Sequence, residues 1–390
     1  MTAQFAVLVS DRGIKRERRA ALLARQIEHD VCQRRWPVGT IFASQQELIQ
    51  RYCVGTDCLR DAIRILEFNG VGRMRPGPGG GLLVSRPSIN LPVASVVGHF
   101  QVIWESGDGV ARREIQGARL TVAALAARIC CQDKKAKDDG GDQWRWAMPK
   151  ELRASSRFVV AMADVTADPF LQLASRSLLT LGHLFGESAD QLSGKATRDN
   201  QELFSNLSEA IIAADADGAA FHAKCLVDQL EHSDPSRETK MSDPFLSEGS
   251  PLNRSRVGQL VRLIATEINT GAFGKEKILG AEAVLAERYV AALSTVRQAL
   301  AVLEDAGVVA VRRGRSNGWF ACEPSLELPL RQVRNYLASS QMDPVQAQRL
   351  IELIRKEPAQ ASKNAIFKIL LLALESYATL SVTELSFARH

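Results

Sequence analysis

The sequence predicts a mainly α-helical protein of several domains with small β-wings. Three observations carry this: the chain's length, a long internal repeat, and helix-patterned stretches between and after the two copies. With 390 residues the chain is well beyond a usual domain, so more than one core is expected. Its 46% hydrophobic and 24% charged content is that of an ordinary globular protein. No uncharged apolar run reaches the roughly 18 to 20 residues that a membrane span needs. The opening "MTAQFAVLVSDRGIKRERRA" puts a brief apolar stretch ahead of its charges, the reverse of a secretory signal. The seven cysteines are an odd, scattered set, and a reducing cytoplasm is expected. Adjacent Cys130 and Cys131 end an alanine-rich helical pattern and read as buried thiols rather than a redox pair.

An offset of 237 aligns Leu23 to Pro92 with Leu260 to Pro329 without a gap. Twenty of these seventy positions are identical, where chance gives about four or five. Among them are Ile27/Ile264, Ile41/Ile278, Leu48/Leu285, Tyr52/Tyr289, Arg60/Arg297, Leu66/Leu303, Gly70/Gly307 and Gly77/Gly314.

Each copy reads as three helices and then two strands. The first helix is "RRAALLARQIEHDVCQ" or "VGQLVRLIATEINTG". Ser44 is positioned to cap the short second helix "QQELIQRY", with Glu47 at the capping-box position. Thr56 or Asp57 is a candidate cap for the third helix. There Leu59, Ala62, Ile63 and Leu66 form an apolar stripe, repeated by Val296, Ala299, Leu300 and Leu303. Gly70 and Gly307 stop that helix, and "VGRMRPGPGGGLLVSR" or "VVAVRRGRSNGWFACE" reads as two strands around a turn. With the stripes buried, Asp57, Arg60, Asp61 and Arg64 are expected to face outward, as are Ser294, Arg297, Gln298 and Ala301.

The predicted domains are a first repeat unit at 15–88, an all-α domain at 89–235, a polar Pro/Ser linker at 236–255, a second repeat unit at 256–325 and a helical tail at 326–390. The tail reads as a truncated second sensor or a dimerisation segment. Charge is uneven: residues 1–90 hold 14 Lys/Arg against 8 Asp/Glu, residues 253–325 hold 10 against 7, and residues 91–240 hold 17 against 21. The excess positive charge falls on the repeats, which favours a polyanionic partner for them.

Three helices and a two-stranded wing form the layout that sets one helix into the DNA major groove. An arginine there can donate two hydrogen bonds to a guanine edge, and wing arginines can pair with phosphates. "WPVGTIFASQQELIQRYCVGTDCLRDAIRILEFNGVGRMRPGPGGG" resembles the winged helix-turn-helix of the GntR transcription regulators. "GKEKILGAEAVLAERYVAALSTVRQALAVLEDAGVVAVRRGRSNGWF" is similar but keeps fewer signature positions. The resemblance implies double-stranded DNA as partner, contacted by Ser44, Gln46, Thr56, Arg60, Arg64, Arg75 and Gly79 in the first copy. In the second it implies Ser294, Thr295, Arg297, Arg312, Arg313, Arg315 and Asn317. Gln46 and Ala283 stand where the family has arginine in the second helix, Thr56 and Leu293 where it has arginine after the turn, and Ala281 replaces the second-helix serine.

The middle domain resembles the FCD ligand-sensing domain of the FadR branch in "GARLTVAALAAR", "MADVTADPFLQLASRSLLTL" and "LSEAIIAADADGAA". The resemblance implies a small, organic acid-like effector, with Arg119 as a candidate anchor. The family's metal ligands are replaced by Ser155, Val159 and Phe204, so no metal cofactor is expected. His99, His183 and His222 read as surface or core residues. "GPGGG" at 77–81 lies in a wing turn rather than a phosphate-cradling loop, and no catalytic constellation emerges, so the expectation is not an enzyme. The two winged helices are expected to act as an internal pseudo-dimer or within a homodimer. The rival expectation is a scaffold protein whose winged helices no longer read DNA.

Overall fold

The residues of each repeat write the order helix, helix, helix, hairpin, and the computed structural model of the protein has it twice. The structure describes residues 16–104, 109–132, 157–185, 198–232, 256–269, 271–273, 278–312, 318–322, 325–357 and 364–387. It is mainly helical with two small antiparallel sheets. No helix among the described residues is long and apolar enough to cross a membrane.

The first repeat comprises α1 (Arg16–Gln33), α2 (Gln45–Tyr52), α3 (Thr56–Phe68), β1 (Gly72–Arg75) and β2 (Gly81–Val84). Ser44 caps α2 as its sequence predicts: its side chain accepts from the Glu47 amide at 3.3 Å, and the Glu47 carboxylate accepts from the Ser44 amide at 2.7 Å. Those hydrogen bonds hold the Glu47 carboxyl below its ordinary pKa. The cap of α3 differs from expectation. Gly55, in extended backbone, precedes a helix that already includes Thr56 and Asp57, and no side chain caps it. The chain turns between α2 and α3 through Cys53 in left-handed backbone at φ 51. The stripe Leu59, Ala62, Ile63 and Leu66 is buried with Leu23, Ile27, Trp36 and Tyr52. Gly70, at φ 67, ends the helix where a side chain would meet Leu91 and Pro87.

Next come α4 (Asn90–Ile103), α5 (Gly109–Cys130), α6 (Phe158–Val165), α7 (Pro169–Leu184), α8 (Arg198–Ile212) and α9 (Ala216–His232). The second repeat follows as α10 (Arg256–Asn269), β3 (Ile278–Gly280), α11 (Glu282–Arg288), α12 (Leu293–Asp305), β4 (Val309–Arg312) and β5 (Gly318–Ala321). Then come α13 (Glu327–Ser339), α14 (Pro344–Lys356) and α15 (Ala365–Phe387). The second sheet has order β3-β5-β4, with Ile278 paired to Phe320. The same pairing occurs in the first repeat as a single bridge between Ile41 and Leu83. Each repeat also ties its first helix to its second through a tyrosine. Tyr52 donates to Asp30 at 2.6 Å and Tyr289 to Glu267 at 2.8 Å. Burial, then the carboxylate acceptor, raises the pKa of both phenols.

The chain divides into two compact units, each built from two stretches of sequence. One holds Met1–Ser95 with Phe245–Gln341, so both repeats and α13 belong to it. The other holds Val96–Pro244 with Met342–His390.

Within the first unit the repeats pack on each other. On α12, Gln298, Ala301, Val302 and Asp305 are spaced as a second stripe, opposite the one facing the repeat's own core. That stripe meets α1 and α3. Ala301 is therefore 4% exposed, a correction to its expected outward position: the helix is covered from both sides. From α3, Phe68 packs against the second repeat's core, and Arg64, half-buried, donates to the Gln298 side chain. Beneath lies a buried polar cluster. Asp305 accepts from Arg331 at 2.9 Å, Arg25 at 3.1 Å and Asn69 at 3.2 Å. Glu28 accepts from Asn69 at 3.0 Å and Asn335 at 3.2 Å, and lies 3.5 Å from the Arg331 guanidinium. Burial pushes the Glu28 carboxyl up, opposed by Arg331. Burial also acts on Asp305, but Arg331 and then Arg25 hold its carboxyl below the ordinary value.

In the second unit the alanine-rich face of α5 is the centre of packing, with Ala118, Val122, Ala123, Leu125 and Ala126 fully buried. Helices α6, α7, α8 and α9 pack on it, and so do α14 and α15. Of the expected tail, α14 and α15 thus complete this bundle, whereas α13 belongs to the first unit. Asn364 caps α15 and donates to the Glu114 carbonyl at 2.6 Å, while Glu357 accepts from Lys224 at 2.5 Å. Gln346 donates at 2.5 Å to Asp168, the cap of α7. Cys130 and Cys131 are buried thiols. The charged loop within 133–156 and the linker 236–255 lie outside the described residues.

Candidate functional site

Pairing through α3 and α12 consumes their C-terminal halves and leaves the N-terminal halves open. Thr56, Asp57 and Arg60 are exposed at the start of α3, as are Ser294 and Arg297 at the start of α12, with Thr295 half-buried. Arg60 and Arg297 therefore occupy the same place in the two repeats and both reach solvent.

Their surroundings differ. Arg60 lies 3.3 Å from Asp57 on its own helix, a solvent-exposed pair that holds the guanidinium weakly. Arg297 donates at 2.7 Å to Glu282 in the first turn of α11. The residue matching Glu282 in the first repeat is the neutral Gln45. Along α3 runs a cleft of about 450 Å³, with Thr56, Arg60 and Glu67 on its wall, Gln45 and Met74 on one side, and Val257 and Val302 of the second repeat on the other.

Ser44 is half-buried and engaged as a cap, so its hydroxyl lies at the mouth of a helix N-terminus, a place where backbone amides attract anions. Gln46 beside it is exposed. In the first hairpin, Arg73 and Arg75 are exposed, and Arg75 donates to the Gly79 carbonyl at 3.5 Å. Gly79 has φ 69 with open space where a side chain would project, so the turn tip is bare backbone. In the second hairpin, Arg312 lies on β4, while Arg313, Arg315 and Asn317 lie outside the described residues.

In the helical unit, Arg119 is buried on α5 and donates to the Leu178 carbonyl of α7 at 3.3 Å. It is thus part of the bundle's interior rather than a solvated face. Val159 and Phe204 are buried apolar residues, and Ser155 lies outside the described residues. His99 is buried on α4 and His222 half-buried on α9. Among the described residues no group of three or more His, Cys, Asp or Glu is arranged to hold a metal ion.

Sequence reasoning missed two features. One is the Glu28–Asp305–Arg331 cluster, whose signal is the mismatch between repeats: Glu28 matches Ala265, Asn69 matches Ala306 and Asp305 matches Phe68. The other is an apolar run at the start of the second repeat's helices, where Val284, Val290 and Leu293 are 55%, 92% and 38% exposed. No protein-family model, curated protein or solved structure matches the chain.

Proposed function

We propose that the protein is a sequence-specific DNA-binding transcription regulator of the GntR type. Its two repeats are winged helix-turn-helix units held as an internal pair. The observation that carries this reading is the division of labour along α3 and α12: their C-terminal halves pack together, and their N-terminal halves, with Arg60 and Arg297, stay exposed. Base-reading helices of this motif use their N-terminal residues. The capped start of α2 and the Gly-rich turn with Arg75 supply phosphate contacts beside Arg60. The first repeat is the stronger reader, because Arg297 must first leave Glu282. In the all-α FCD-like unit a small organic acid-like effector modulates DNA affinity. With Val159 and Phe204 at family ligand positions, such an effector is held without metal, and Arg119 is its candidate cationic anchor. The proposal assigns no catalysis to the chain.

The test is a set of binding isotherms on duplexes selected from a random pool, measured at several salt concentrations. Phosphate contacts require affinity to fall steeply as salt rises. Arg60→Ala is expected to weaken the selected duplex more than random duplex. Equal affinity for both duplexes, unchanged by Arg60→Ala, would mean that the winged helices serve as a scaffold instead.

A further inference from the structure

The two sides of the internal pair are not alike. On one side α12 lies against α1, and the small Ala301 lets α12 be covered there. On the other side the reciprocal packing of α3 on α10 stays open, and the cleft of about 450 Å³ lies between α3 and Val257 of α10. The offset of 237 supplies a reason: Arg64 of the first repeat holds the position of Ala301. A guanidinium is too large and too polar to be sealed in as alanine is. Arg64 is half-buried, lines the cleft and donates to the neutral Gln298 side chain. Among the described residues no carboxylate forms an ion pair with it. A cation partly removed from water without an opposite charge is unfavourable, and an anion entering the cleft would offset that. Arg60, one turn earlier on the same face, also lines the cleft, and its own partner is the exposed Asp57. Much of the remaining wall is apolar, with Phe68, Met74, Val257 and Val302. A largely apolar cleft of this size with a few polar groups suits one small molecule.

We propose that this cleft binds a small arylcarboxylate. Its carboxylate takes charge-assisted hydrogen bonds from Arg64 and Arg60, and its ring lies among Phe68, Met74, Val257 and Val302. The charged lining is two arginines against Glu67, an excess of one positive charge, which fits a monoanion. The Phe68 ring and the Met74 thioether favour an aromatic body over an aliphatic one. The site belongs to the unit of the two repeats, not to the helical unit that holds Arg119. The inference rests on the proposed function in one respect, its effect on DNA. Arg60 cannot hold the acid and read a base at once, so the empty cleft leaves Arg60 open to DNA and the bound acid lowers duplex affinity.

The experiment is calorimetric titration of the full chain with 2-naphthoate, first without DNA and then against the selected duplex. The wild-type chain is expected to bind one naphthoate, and the neutral 2-naphthylmethanol about tenfold more weakly or worse, since it gives the arginines no charge to pair with. Arg64→Gln removes the cation and Val257→Phe fills the cleft, with circular dichroism checking that each fold is kept. Both are expected to weaken naphthoate by about tenfold or more. Val257→Phe is further expected to keep duplex affinity and to make it insensitive to naphthoate, whereas in the wild type naphthoate lowers it. No binding at millimolar naphthoate, or binding that survives in both folded variants, overturns the proposal. Cleft-dependent binding that leaves the affinity of the selected duplex unchanged overturns the competition for Arg60. Cleft-dependent binding in a chain that shows no duplex selectivity supports the site and rejects the DNA reading.

Discussion

The two repeats bury the same stripe of their third helix in a core of the same three helices, yet their outer surfaces differ. In the first, Ser44, Gln46, Thr56 and Arg60 keep the start of α2 and α3 polar and open. In the second, the matching end is apolar, its arginine is paired to Glu282, and the far side of α12 is covered by the first repeat. A duplicated domain keeps what its own core demands, because each core residue is locked by many neighbours. Surface positions are constrained only by what they touch, and after duplication the two copies touch different things.

The largest expected effect lies where the copies meet. Arg331→Met leaves the Glu28 and Asp305 carboxylates buried without their shared cation, and is expected to cost about 3–5 kcal/mol in chemical denaturation. In the wild type, Asp305 has its pKa held low, so its contribution is present at neutral pH and is lost as pH falls through that lowered value. In the variant both carboxyls shift upward. Protonation then relieves them, and the deficit is expected to shrink as pH drops from neutral toward the ordinary carboxylate range. A deficit that does not change with pH would show that the cluster acts by packing alone.

Next, Leu66→Ala and Leu303→Ala probe equivalent core positions, 0% and 2% exposed. Each is expected to cost about 2–5 kcal/mol by leaving a cavity. Similar costs would support the equivalence of the two cores; a much smaller loss for Leu303→Ala would show a looser second core.

Under the proposed function, Arg60 and Arg297 are expected to separate the copies. Arg60→Ala is expected to weaken selected-duplex binding by about 1–3 kcal/mol for each guanine that the arginine reads. Arg297→Ala is expected to weaken it less, because breaking the Glu282 pair offsets part of the gain. Titration of both variants against one selected duplex makes the comparison, and the reverse order would overturn the ranking of the readers.

The smallest effect is at the caps. Ser44→Ala is expected to lower stability by about 0.5–2 kcal/mol, and Ala281→Ser to raise it by a similar or smaller amount. Thermal melts of the two variants check both signs.

Much of this contrast is legible before folding. The 237-residue offset stands out because identical residues fall at core and turn positions such as Leu66/Leu303 and Gly70/Gly307. Ser44 with Glu47 announces a helix start for a local reason, since both partners lie within one turn. Other features leave no local trace. Cys53 and Val290 adopt left-handed backbone without being glycine, because the turn between packed helices imposes it. Ala301 faces outward by periodicity alone, since one apolar stripe predicts only one partner. Arg119 reads as an effector anchor on a helix face, and its burial is set by α7, distant in sequence.

The sequence alone determined the repeat, the helical stripes and the capped second helix. These follow from neighbours within a few residues, or from direct comparison of the copies. Only the tertiary structure decided that the repeats share one unit, that Glu28, Asp305 and Arg331 meet across some 300 positions, and that α14 and α15 pack on α5. Burial of a charge becomes tolerable only when opposite charges arrive from other elements, and no local pattern records where they will come from.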